Sequence, residues 1–207
     1  MSLSNSVAAR RWYLWVMIAA AACYGTFLLE IALGFPLSPE HSYLSEYAAV
    51  DQPMRNLFVA ADIASAVLGV SATAYALRRG WGSPWINVLL IAAWASVVVD
   101  VVVTPMQCAE SLPGCTEADS GFVHMVSSSG VAGLHAVVAI LLWRRYPIAT
   151  SAYLVVSAVV SVLALVGWPV GIAQRTQVAL ECVVIGLAAL ATCVQRNRHD
   201  RTSMAKD

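Results

Sequence analysis

Charge is scarce in this chain. Lysine, arginine, aspartate and glutamate make up 12% of its 207 residues, and 59% are hydrophobic, whereas a water-soluble domain carries about a quarter charged residues. A fold built around one water-facing core is therefore excluded, and most of the chain should dissolve in lipid. Neither sign is in excess: 12 basic residues balance 12 acidic ones, so no broad basic field points to nucleic acid. Paired histidines are missing too. The four histidines form no H-x-x-x-H or H-E-x-x-H, and no two lie at matching depth on different apolar runs, as a transmembrane haem would need.

What the chain has is long apolar runs. A membrane helix needs roughly 20 mostly apolar residues to cross about 30 Å of hydrocarbon. Six stretches meet that measure, 12–34, 55–77, 84–104, 121–143, 149–170 and 175–195, bounded by signals such as Phe35-Pro36, Arg78-Arg79-Gly80, Pro105 and Arg144-Arg145. The expected fold is all-α, a compact bundle of six transmembrane helices in one domain, followed by a basic tail over 196–207. Their abundant small residues favour close helix packing. The first run is too long for the core of a signal peptide and no small-x-small cleavage site follows it, so an uncleaved anchor is expected.

Orientation follows the cations. With the N-terminus inside, Arg10, Arg11, Arg78, Arg79, Arg144, Arg145, Arg196, Arg198, Arg201 and Lys206 face the cytoplasm, leaving Arg55 and Arg175 outside. This predicts a multi-pass protein of the cell membrane with both termini cytoplasmic. The tail Arg196–Lys206 suits anionic lipid headgroups better than nucleic acid.

Cys108 and Cys115 fall in the second outer loop, on the oxidising side. Pro113-Gly114 supplies a turn between them, and a bridge there would contribute about 2.5 kcal/mol through loop entropy. Two thiols alone are too few for zinc. Cys23, Cys182 and Cys193 lie in apolar runs, where cysteine acts as a small hydrophobe.

Four acids lie inside the expected spans, Glu30, Asp62, Asp100 and Glu181, and all fall in the outer half. An aspartate at a span's centre costs about 2.5–3.5 kcal/mol, so these acids require partners, water or protonation. At 100° per residue His124, Ser128, Val131 and His135 share a helix face within about 60°. Gln174, Gln177 and Glu181 form a second stripe, and Arg175 is the natural counter-ion for Asp100 or Glu30. The pattern predicts an outward polar pocket floored near the midplane, lidded by the loop "FPLSPEHSYLSEYAAVDQPMRNLF". A hydrogen-bonded network that merely joins the helices is the alternative.

A metal is a further possibility. His124 and His135 are separated by roughly 16 Å along a helix and cannot share an ion, but His124, Asp100 and His41 could supply mixed zinc ligands. For nucleophilic chemistry Ser128 lies one turn from His124 on the same face, and Asp100 ends the preceding span at the same outer depth as His124; Ser45-Glu46 is a second candidate.

Four motifs occur in order: "LSEYAAVDQPMRNLF" at 44–58, D-x4-P-x2-C through Asp100, Pro105 and Cys108, G-x2-H through Gly121 and His124, and "GIAQR" at 171–175. Together they resemble a six-span bacterial and archaeal family known as domain of unknown function 998. The first-loop pattern is also similar to eukaryotic six-span proteins of GPI-lipid remodelling and membrane lipid asymmetry. The resemblance implies recurrent polar residues at the outer face, here Ser45, Glu46, Asp100, His124, Gln174 and Arg175; Asp62, His135 and Glu181 rest on depth and helix face alone. It implies no reaction. Membrane hydrolases that hold zinc between three histidines are a more distant comparison, and their paired-histidine spacing is absent.

Three functions remain open. One is binding a lipid headgroup, a small ligand or a membrane partner, including a second copy, in the outer pocket. Another is lipid hydrolysis or group transfer by His124, Asp100 and Ser128. The third is proton-coupled transport through Asp62 and Glu181, for which the inner half offers no ionisable stepping stones.

Overall fold

The computed structural model describes residues 3–116 and 122–194. Gly121 and the basic tail lie outside the described residues. Within them every regular element is helical. In chain order these are α1 (Leu3–Tyr24), α2 (Phe27–Ala32), a 3₁₀ turn at Leu44–Ala48, α3 (Arg55–Arg78) and α4 (Pro84–Val98), which runs into a π-helical turn (Val99–Val103). Then come α5 (Phe122–Leu142), α6 (Pro147–Val166) and α7 (Gly171–Val194).

Among the described residues five helices are long and apolar enough to cross a membrane: α3, α4 with its π turn, α5, α6 and α7. The first apolar run departs from the single helix expected over 12–34. It ends at Tyr24, turns at Gly25-Thr26 and resumes as the six-residue α2. On α2, Glu30 pairs with Arg175 of α7. The chain then returns through a loop of its own before α3 begins at Arg55.

Large apolar side chains face outward along the spans, among them Ile148 at 87% and Leu165 at 86% exposure, as lipid contact requires. Inside, small residues set the spacing. A Cβ on Gly69 of α3 would lie 2.2 Å from the Trp94 ring, so this glycine is where the buried indole of α4 presses on the neighbouring backbone. Tyr13, Met17, Leu90, Tyr153 and Ile185 complete the centre of the bundle.

The two ends differ chemically. At one end Arg10 lies 5.0 Å over the Trp81 ring, Arg79 5.1 Å over Tyr75 and Arg145 5.5 Å over Tyr146, a cation–aromatic rim typical of a membrane interface. The other end carries the two long loops. There Leu37, Leu44, Tyr47, Ala48, Phe58 and Ala109 make a small second core, with Tyr47 and Phe58 stacked at 4.6 Å. Cys108 and Cys115 are bridged, their Cα atoms 5.7 Å apart.

Candidate polar site at the looped end

The π turn fixes the first part of the site. The Thr104 amide donates to the Val99 carbonyl at 3.0 Å, one residue further back than in an α-helix, and Pro105 then prevents the helix from continuing. Such turns re-aim side chains, and this one brings buried Asp100 against α5. Ser128 Oγ lies 2.8 and 2.9 Å from the two Asp100 oxygens, and Ser127 Oγ donates to Oδ1. His124 Nδ1 lies 2.8 Å from the Thr104 carbonyl and 3.3 Å from Asp100 Oδ1. His124 Nε2 is 3.3 Å from Ser128 Oγ, and Thr104 Oγ1 is 2.8 Å from Ser127 Oγ.

A second cluster lies deeper. Glu181 on α7 accepts hydrogen bonds from Tyr24 at 3.0 Å and Tyr153 at 3.1 Å. His135 Nδ1 is 2.9 Å from Glu181 Oε1, at an angle that makes no hydrogen bond. His135 therefore shares a helix with His124 but serves a different carboxylate. Between the clusters is a cavity of about 110 Å³ whose wall includes Asp62, Asp100, Ser128, Gln177 and Glu181.

The first loop is strapped over these residues. Arg175 donates through Nε to Glu30 Oε2 at 2.7 Å and through Nη2 to Oε1. Its Nη1 reaches the carbonyls of Ser42 at 2.7 Å and Gly171 at 3.0 Å. Gln174 Oε1 accepts the Leu44 amide at 2.7 Å. Glu46 accepts the amides of Tyr43 at 2.9 Å and Ser111 at 3.1 Å, so it ties the first loop to the second. Tyr47 donates to Glu30 at 2.8 Å while accepting the Leu37 amide at 3.0 Å; burial pushes its phenol up to about 12. Tyr43 is raised as well, by burial first and then by Glu110 and Glu46.

A larger cavity of about 410 Å³ opens between α5 and α6. Tyr43, Glu110, His124, Ser128 and Gln174 stand at its looped end, Ser157, Ser161 and Gln177 lie further along its wall, and Gly133, Ala136 and Leu154 form its deeper apolar part. Ser45, Ser128, Gln174 and Gln177 border both cavities. α6, which forms one wall, is the least enclosed of the five spans.

Several sequence expectations sort out on this geometry. Asp100, His124 and Ser128 come together. Glu46, Gln174 and Arg175 hold the loop, and Arg175 pairs with Glu30, not with Asp100. Ser45 contributes its hydroxyl to a 3.6 Å contact with Met106 Sδ, while Glu46 turns to Ser111, so those two do not act as a pair. His41 is exposed and does not complete a ligand set with Asp100 and His124: among the described residues no three His, Cys, Asp or Glu side chains are placed to hold a metal ion. Ser127, Thr104, Ser111, Tyr24 and Tyr153 join the site without a motif of their own; Ser127 is marked only by adjoining Ser128, and the tyrosines resemble ordinary packing aromatics.

A family model described as a protein of unknown function, DUF998, matches residues 17–191. No curated protein and no solved structure matches the chain.

Proposed function

Because the chain belongs to the DUF998 family, whose description names no reaction, we propose a function from geometry and chemistry: a membrane protein that binds an amphiphile, its polar group at the Asp100–His124–Ser128 cluster and its chain between α5 and α6. The observation that carries this is the two-part wall of the 410 Å³ cavity. From His124 to Ala136 the α5 wall descends twelve residues, about 18 Å of helix rise, changing from ionisable to apolar along the way. A headgroup alone would not need the apolar length, and an alkane would not need the polar end. A structural network sealed among helices would leave no such space beside it.

In this reading α1 with α2 makes a sixth crossing, both termini are cytoplasmic, and the cluster opens on the outer face of the cell membrane. The arginine rim at the opposite end supports that orientation, as does the Cys108–Cys115 bridge, a bond of oxidising compartments.

Gly133 provides the test. A Cβ there meets nothing within 4 Å and the residue lines the cavity, so Gly133→Leu places a branched side chain at that wall. Native mass spectrometry of wild type released from its detergent micelle is expected to show a retained amphiphile mass, lost in Gly133→Leu at unchanged thermal stability. A bare wild-type mass, or equal retention by both, overturns the reading.

A further inference from the structure

We propose that Ser128, His124 and Asp100 form a nucleophilic triad that hydrolyses a carboxylic ester of the amphiphile held between α5 and α6. The inference rests on the binding reading above and adds to it a bond that is broken.

The tautomer of His124 is the key. Nδ1 faces the Thr104 carbonyl at 2.8 Å, and a carbonyl can only accept, so Nδ1 carries the ring proton. Nε2 is then a lone pair, and the group it faces, 3.3 Å away, is the Ser128 hydroxyl. Asp100 Oδ1, 3.3 Å from the protonated nitrogen, is placed to stabilise the imidazolium that forms when Nε2 takes a proton, the role of the carboxylate in a serine triad. Ser128 follows His124 by one helical turn, so both point to the same side of α5. In the resting arrangement Ser128 donates to Asp100, and it must turn toward Nε2 when substrate enters; catalytic hydrogen bonds commonly tighten only in the loaded site. Both His124 and Ser128 border the larger cavity, which a purely structural hydroxyl has no need to do. Gln174 uses its side-chain oxygen on the Leu44 amide, which leaves its NH2 as a donor at that wall for a developing oxyanion.

The steps balance without a cofactor. Ser128 Oγ bonds to the ester carbonyl carbon as its proton passes to His124 Nε2. The carbon–alkoxy bond breaks, and the alkoxide leaves as an alcohol with that proton. Water then attacks the acyl-Ser128 carbon and gives a proton to Nε2. The Oγ–carbon bond breaks, Oγ recovers the proton, and a carboxylic acid departs.

The test uses the full chain in detergent with a long-chain alkyl fluorophosphonate and with p-nitrophenyl octanoate. The wild-type protein is expected to gain the phosphonyl mass on the peptide holding Ser128, and to release p-nitrophenolate. Ser128→Ala is expected to lose both, and His124→Ala to slow turnover roughly a hundred- to ten-thousand-fold. Mapping the adduct on wild type keeps the test independent of how well any variant folds. An unlabelled Ser128 in protein that retains an amphiphile overturns the triad and leaves the binding reading standing. No label and no retained amphiphile removes both, and a label on a different residue also overturns the triad.

Discussion

Arg175, in the second turn of α7, grips the carboxylate of Glu30 from two sides, Nε to Oε2 and Nη2 to Oε1, with Glu30 fully buried. This pair joins the last spanning helix to the short helix that follows the first, and Tyr47 adds the loop to it. Removing one partner strands a buried charge, at a cost of about 3–5 kcal/mol. Arg175→Met is expected to lose that much on thermal or denaturant unfolding in detergent. Glu30→Gln should cost less, since Arg175 keeps the carbonyls of Ser42 and Gly171. The double variant should recover part of the loss; strictly additive losses would show that the two side chains do not depend on each other.

Gly171 is where the first loop touches the start of α7. A Cβ there would fall 2.4 Å from the Pro39 carbonyl oxygen and 2.8 Å from the Glu40 carbonyl, both backbone atoms with no side-chain freedom to yield. The Gly171 amide also donates to Glu40 at 3.0 Å. Gly171→Ala is expected to lift the loop, costing about 1–3 kcal/mol and speeding proteolytic cleavage between residues 36 and 43. Gly130→Ala, where nothing lies within 4 Å, is the control and should neither destabilise the protein nor speed cleavage.

These contacts mark what the sequence could and could not convey. Apolar length and breaker residues located α3 to α7, because a span's cost is set by composition over about 20 residues. The break at Gly25-Thr26 is invisible to that measure, since the run 12–34 stays apolar through it. Helical angle placed His124 beside Ser128 correctly, since i and i+4 meet on any helix. It also aligned His135 with them, but a shared face says nothing of which helix lies opposite at each depth, and His135 meets Glu181 instead. Asp100 stands out in the sequence as an ionisable group at a span end, yet the π turn that aims it, closed by the Thr104 amide on the Val99 carbonyl, has no signal in apolar length. Tyr24 and Tyr153 are the hardest case. Within apolar runs a phenol that serves a carboxylate looks like one that fills space.

Trp94 lies against Gly69 so closely that an added methyl would sit 2.2 Å from its ring. Gly69→Ala is expected to destabilise the protein by about 1–3 kcal/mol, as overpacking does in a rigid interior, despite the better helix propensity of alanine. Combining it with Trp94→Leu should cost less than the sum of the two single losses, because the leucine vacates the space the methyl needs. Thermal unfolding of the four proteins measures the coupling. Additive losses would mean that α3 and α4 move apart freely, which the close approach of their backbones argues against.

Tyr47 makes the looped end sensitive to alkali. Its phenol is pushed up to about 12, first by burial, with its hydrogen bond to Glu30 acting in the same direction, whereas an unfolded tyrosine ionises near 10. The folded state therefore holds this proton more tightly than the unfolded chain. Its contribution is fully present below pH 10 and is lost as pH rises through 12. Ionisation would place a phenolate beside the Glu30 carboxylate, so the first loop is expected to release in that window. The measurement is proteolytic susceptibility of residues 36–43 and unfolding temperature from pH 9 to 12, in wild type and Tyr47→Phe. The variant should start lower, having lost the 2.8 Å bond to Glu30 and the acceptor for the Leu37 amide. Its further decline between pH 10 and 12 should be shallower, because the phenol that titrates at the clamp is gone. Equal slopes would assign the alkaline loss to other groups and leave Tyr47 with a packing role alone.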